Sequence, residues 1–245
     1  MKKSLLVAVL ASAMVMLAAC GKSDAKAVEK SEGVMTYDEY MAAAVDTEVT
    51  VETYVQGVNS WWDGKITVYS ADQDGAYFLY DMACAEEDAA KLVPGTKLKV
   101  NGFKSEWSGE VEIIDATFEI ENTDTYVADV KDVTEFFGKD ELANYMNQKF
   151  SVKGAVVEAS VDADGNEADW LYNWDGSGEE GSDVYFNVNI NGETYSFLVR
   201  AYLTGPDTEV YQAAKELKVG DTIDCEGFLY WYNGANPHIT SITVK

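Results

Sequence analysis

The chain contains the same unit twice. Residues 95–103 read GTKLKVNGF and residues 220–228 read GDTIDCEGF. Each follows a short helix-like segment, at 85–94 and 207–219. Aligning the glycines sets Leu92 on Leu217, Leu98 on Ile223, Val100 on Cys225 and Phe103 on Phe228. Further along, Trp107-Ser108-Gly109 falls on Tyr232-Asn233-Gly234, and each is followed by a closing alternating strand, 110–120 and 238–245. Upstream, Tyr40-Met41 and Tyr145-Met146 each precede an alternating strand, at 48–58 and 149–161. A unit of about 105 residues is far longer than a solenoid or propeller repeat. It means duplicated domains.

Alternation and β-branched or aromatic content predict strands near 48–58, 65–70, 76–82, 96–104 and 110–119 in the first unit. In the second they fall near 149–161, 183–190, 193–201, 221–230 and 237–244. Ser108-Gly109, Asn191-Gly192 and Asn233-Gly234 are hairpin turn signals. Five strands with a helix between the third and fourth resemble the OB-fold, a partly open Greek-key barrel. The expected fold is therefore mainly β: two tandem five-stranded OB-like barrels at 36–122 and 141–245, each with a short helix between strands 3 and 4. A connector at 123–140 carries Val130, Val133, Phe136 and Phe137, too apolar for a free linker and expected to pack at the domain junction.

Lys2 and Lys3, an apolar run from Leu5 and the sequence Leu17-Ala18-Ala19-Cys20 have the order of a secretory signal, too short for a permanent membrane span. The cysteine at the cleavage point resembles the lipobox of bacterial lipoproteins. With the barrels, the chain is similar to bacterial lipoproteins that carry tandem OB-fold-like domains. The resemblance implies that residues 1–19 are removed and that Cys20 carries fatty acyl chains such as palmitate. It places the protein on the extracytoplasmic face of the cell membrane and implies no particular activity. One acyl chain binds reversibly and two hold firmly. Residues 20–35 then read as a solvated tether.

From Cys20 onward the chain has 16 basic and 43 acidic residues, a balance of −27. Such a surface repels nucleic-acid backbones and anionic headgroups, which makes nucleic acid an unfavoured partner. Beyond Cys20 only Cys84 and Cys225 remain, one in each repeat, so no disulfide is expected.

All six tryptophans fall in the two loop types that flank an OB-fold's binding face. Trp61 and Trp62 lie between the first and second strands, and Trp107 in the closing hairpin. In the second unit Trp170 and Trp174 lie in a long insertion, and Tyr230, Trp231 and Tyr232 in the hairpin. Two uses are open: stacking on a flat ligand, or packing over the barrel ends. The charge favours a neutral glycan or a polypeptide, such as a surface protein, as ligand. The rivals are an oligonucleotide-binding accessory to an extracellular nuclease and a structural subunit of an envelope assembly.

Insertion 158–183 is acidic, and Asp162, Asp164, Asn166 and Asp169 have a spacing that suits Ca²⁺. Gly165 and Asn173 depart from the EF-hand pattern, so a solvated loop without cofactor is the default. No nucleophile elbow, zinc helix or P-loop occurs, and the sole histidine, His238, reads as a rim residue rather than a general base. The expectation is a binding protein, not an enzyme. The oligomeric state is left open.

Overall fold

The computed structural model describes residues 30–245. The signal at 1–19 and the acylated Cys20 lie outside the described residues. Among those described, no helix is long and apolar enough to cross a membrane.

In the first repeat a Thr36/Glu39 capping box starts α1 (Tyr37–Ala42). Five strands follow: β1 (Glu48–Val58), β2 (Lys65–Ala71), β3 (Ala76–Ala83), β4 (Thr96–Trp107) and β5 (Glu110–Thr125), with the single-turn α2 (Glu86–Ala89) between β3 and β4. They close in the order β1-β2-β3-β5-β4, with β4 returning to β1 and a parallel pairing of β3 with β5.

The second repeat opens with β6 (Lys131–Asp132), alongside β7 (Lys149–Glu158). Its insertion holds the small hairpin β8 (Ser160–Val161) and β9 (Glu167–Ala168), then β10 (Leu171–Tyr172). β11 (Val184–Ile190), β12 (Glu193–Val199), β13 (Thr222–Phe228) and β14 (His238–Val244) complete it, with α3 (Ala201–Thr204) and α4 (Glu209–Glu216) before β13. The order β11-β12-β14-β13-β7 is closed by β11 on β7, again with one parallel pairing, β12 with β14. Both barrels are closed, and both have the predicted strand order.

The repeated residues earn their recurrence by packing. Leu92, Leu98 and Val100 are buried in one core, and Leu217, Ile223 and Cys225 hold the same places in the other. Both remaining thiols are buried and free. The repeated glycines sit where β4 meets β5 and β13 meets β14, at register shifts in both pairs. A Cβ on Gly102 would lie 2.8 Å from the Ile114 carbonyl oxygen, and one on Gly227 would lie 2.1 Å from the His238 carbonyl oxygen. Backbone cannot yield as a side-chain tip can. Gly227→Ala should therefore cost at least about 1–3 kcal/mol in urea denaturation. A loss below about 0.5 kcal/mol would mean that the two strands stand further apart than described.

Two sequence expectations change here. Val133 and Phe137 of the connector are fully buried in the second barrel's own core, while Val130 is exposed, so this segment plugs one barrel instead of packing between two. The last residues assigned to the tether are bound to the first barrel: Lys30 forms a buried ion pair with Asp72 at 2.7 Å, and the Met35 amide donates to the Thr50 carbonyl. β5 also runs past the expected boundary at 122, to Thr125.

The barrels meet through a small core of their own. Phe228 stacks on Tyr69 with ring centroids 4.4 Å apart, and Phe78 packs edge-on against Tyr230 at 5.2 Å. Gly57 makes room for the Phe228 ring, which a Cβ there would meet at 2.9 Å. The equivalent turns of the two repeats touch: the Asn233 amide donates to the Ser108 carbonyl at 2.7 Å. Beside them Glu110, fully buried, accepts from Asn147 Nδ2 at 2.6 Å and from the Trp231 amide at 2.8 Å.

Candidate binding cleft between the barrels

Beside the two touching turns lies a cleft of about 740 Å³, walled by the second barrel with Trp107 of the first at its edge. Trp107 enters from the end of β4 and Trp174 from the insertion. Tyr185 comes from β11, Tyr195 from β12, and Tyr230 and Tyr232 from the final hairpin. Trp107, Trp174 and Tyr232 are among the most exposed aromatic side chains, at 61 %, 74 % and 51 %. Rings held this open leave half or more of their surface to solvent and add little to the barrel cores.

Arg200, the only arginine in the sequence, lines the same cleft. It sits at the end of β12, just before α3. Its Nε is buried without a hydrogen-bond partner, and no carboxylate lies within ion-pair distance among the described residues. Asp183 is nearby but accepts from the Ala201 amide instead. Burial works against the guanidinium charge, but Tyr69, Asp183 and Tyr185 around it outweigh this, and its pKa is raised. The cleft thus holds a permanent cation with unused donors. No Asp or Glu lines it, in a chain with 43 of them.

His238 corrects the sequence reading. It is not a rim residue: it is 1 % exposed, lies on the cleft floor, stacks on Tyr230 at 4.3 Å and hydrogen-bonds the Tyr69 hydroxyl of the other barrel. Burial, with Arg200 second, drives its pKa well below the ordinary histidine value, so the ring is neutral. It is a seam residue.

The eight aromatic candidates divide. Trp107, Trp174, Tyr230 and Tyr232 come together in the cleft. Trp62, 72 % exposed, lines a neighbouring groove. Trp61 turns inward, packs on the first barrel's core and donates its indole N–H to the Cys84 carbonyl at 2.9 Å. Trp170 packs on the second core and against Tyr172 at 4.9 Å. Trp231 is half-buried against the same core, behind Gly109. Those three do structural work. Arg200, Tyr185 and Tyr195 are the cleft residues the sequence reading missed.

The four oxygen-bearing residues of the insertion do not converge. Asp162 accepts from the amides of Asp164 and Asn166 in its own turn, and Asp169 binds Lys218 at 3.1 Å and the Val219 amide. Among the described residues no group of three or more His, Cys, Asp or Glu side chains is placed to hold a metal ion.

No family model and no curated protein matches the sequence. Solved structures to which the chain is similar include p202 HIN1 in complex with a 12-mer double-stranded DNA (13 % identity, 82 % of this chain and 94 % of that one, TM-score 0.35). The Ifi202 HINa domain in complex with a 20-bp double-stranded DNA is another (13 %, 82 % and 96 %, 0.34). A replication protein A heterotrimer bound to single-stranded DNA is a third (10 %, 89 % and 70 %, 0.30). Those three proteins are described as bound to DNA, which runs against the expectation of a neutral glycan or polypeptide ligand with nucleic acid unfavoured. The net charge that underlay the expectation is a property of the whole chain, and the cleft wall itself carries no carboxylate. The chain is a mainly β protein of two closed OB-fold-like barrels in tandem, with an aromatic cleft at their seam.

Proposed function

We propose that the protein is a non-catalytic binding module whose inter-barrel cleft takes a short single-stranded oligonucleotide. The observation that carries this is the pairing of open aromatic faces with one unneutralised guanidinium. Bases of any kind stack on tryptophan and tyrosine, each for about 1–3 kcal/mol, and arginine receives a phosphate with two parallel N–H bonds. The remaining surface, at net −25 for the full sequence, limits the ligand to a few phosphates. Known DNA complexes of similar folds accord with this reading.

Tryptophan-fluorescence titration with oligothymidylate at about 0.15 M salt tests it, since the Debye length there is about 8 Å and the outer charges are screened. Arg200→Met should weaken binding at least about tenfold, as expected for one lost charged hydrogen-bonding partner. Because a single cation meets the phosphates, log K should fall only shallowly with log salt, by roughly 0.7 for each phosphate engaged. No quenching by any oligonucleotide at moderate salt would dispose of the proposal.

We also infer from Leu17-Ala18-Ala19-Cys20 that the mature chain starts at an acylated Cys20 and works outside the cytoplasmic membrane, as a bacterial lipoprotein does. The mass of the N-terminal peptide from a native membrane fraction tests this. An unmodified Cys20 would remove the anchor.

A further inference from the structure

Arg200 lines a second groove as well as the cleft. This groove, of about 160 Å³, lies on the first barrel's side of the seam. Its walls include Trp62 after β1, Tyr80 on β3 and Tyr202 on α3, together with Lys65 and Asp81, which pair with each other at 3.5 Å and leave Arg200 as the groove's unpaired charge among the described residues. Those rings are 72 %, 44 % and 55 % exposed. The seam is stitched here too: the Ser60 amide donates to the Tyr202 carbonyl at 2.6 Å. Among the described residues, six of the seven exposed aromatic side chains thus lie in the two spaces that share Arg200. Only Phe103 lies elsewhere. Exposed rings cost solvation, and chance would scatter them over both barrels.

We propose that the two grooves form one site divided by Arg200, and that its ligand is a strand crossing the seam: bases stacked on both sides, with a phosphodiester on the guanidinium between them. This rests on the oligonucleotide reading and extends it, because the smallest complete ligand becomes a base–phosphate–base unit. The complementarity is explicit. Arg200 Nε has no acceptor and the guanidinium no ion-pair partner among the described residues, and a bridging phosphodiester carries one negative charge with two free oxygens. A ligand confined to the larger cleft would leave Trp62, Tyr80 and Tyr202 without use.

The test compares thymidine monophosphate with oligothymidylates of two to six residues, titrated into the protein and into Trp62→Ala, Trp174→Ala and Arg200→Lys. Affinity should climb at least about tenfold from the mononucleotide to the longer strands, the worth of one more stacked base. Trp62→Ala should remove most of that gain and weaken the longer strands more than the mononucleotide. Trp174→Ala should weaken both. Arg200→Lys, which keeps the charge and loses the fork, should shrink the length dependence. If Trp174→Ala weakens the six-residue strand while Trp62→Ala does not, the crossing strand is wrong and the cleft alone is the site. If the unmodified protein binds none of these probes, both readings fall together.

Discussion

Phe228→Ala should lower the unfolding free energy by about 3–5 kcal/mol, while Phe103→Ala, its counterpart in the first repeat, should cost under about 1 kcal/mol. The two phenylalanines hold the same place in the repeated NGF and EGF triplets. Phe103 is 41 % exposed and Phe228 is 4 % exposed. Duplication supplied the ring twice, and only one copy found a partner. Phe228 lies against Tyr69 and in the space left by Gly57, both from the other barrel. Its removal leaves a cavity in a cluster too small to collapse around it. Because Phe228 lies in this junction cluster and not in the second barrel's own core, the variant should also lose cooperativity, with two barrels melting in separate steps. Urea denaturation followed by tryptophan fluorescence and by far-ultraviolet dichroism reads both effects. Equal losses for Phe103→Ala and Phe228→Ala would mean that the barrels do not meet through this ring.

The same asymmetry explains what could be read from the sequence. Positions that face inward in both repeats, Leu98 with Ile223 and Val100 with Cys225, announce the barrels because each core imposes the same demand. Gly102 and Gly227 recur because a bulged strand leaves no room for a Cβ in either copy. What one barrel does to the other leaves no periodic trace. Tyr69 and His238 are 169 positions apart and touch only because two folded units dock. Trp61 and Trp62 are adjacent and alike in sequence. Neighbouring residues on extended chain face opposite ways, so one had to go in and one out, and only the fold decides which. Arg200 offered one signal that went unused: a single arginine amid seventeen lysines, just after the buried apolar triplet Phe197-Leu198-Val199. A guanidinium keeps its charge and its planar donors where a lysine would lose its proton.

Stability should rise by about 2 kcal/mol through Glu110 alone as pH falls from about 8.5 to about 6.5. Glu110 is buried at the seam, and desolvation pushes its pKa up to about 8 in spite of hydrogen bonds from Asn147 and the Trp231 amide. A carboxyl with a folded pKa above its unfolded value favours the protonated fold. Its contribution is complete below about pH 4.5 and is lost as pH rises through about 8. Nearby Glu112, raised to about 7 by burial and then by Asp81, acts in the same direction. His238 acts oppositely. Its folded pKa is depressed, so its contribution is present above about pH 6.5 and is lost below it. Below about pH 6.5 the His238 loss runs at about the same slope as the Glu110 gain and cancels it, so the steep rise seen between pH 8.5 and 6.5 should slacken there. One Glu110 oxygen accepts from Asn147 Nδ2, which also donates to the Val111 carbonyl, and the other accepts from the Trp231 amide. Glu110→Gln keeps an acceptor oxygen for one of these donors and carries no titrating proton. The variant should be more stable than the unmodified protein at pH 8.5, and its advantage should shrink by about 2 kcal/mol at pH 6.5. An advantage that does not change with pH would show that Glu110 is already ionised in the folded protein and that its place at the seam is held by charge.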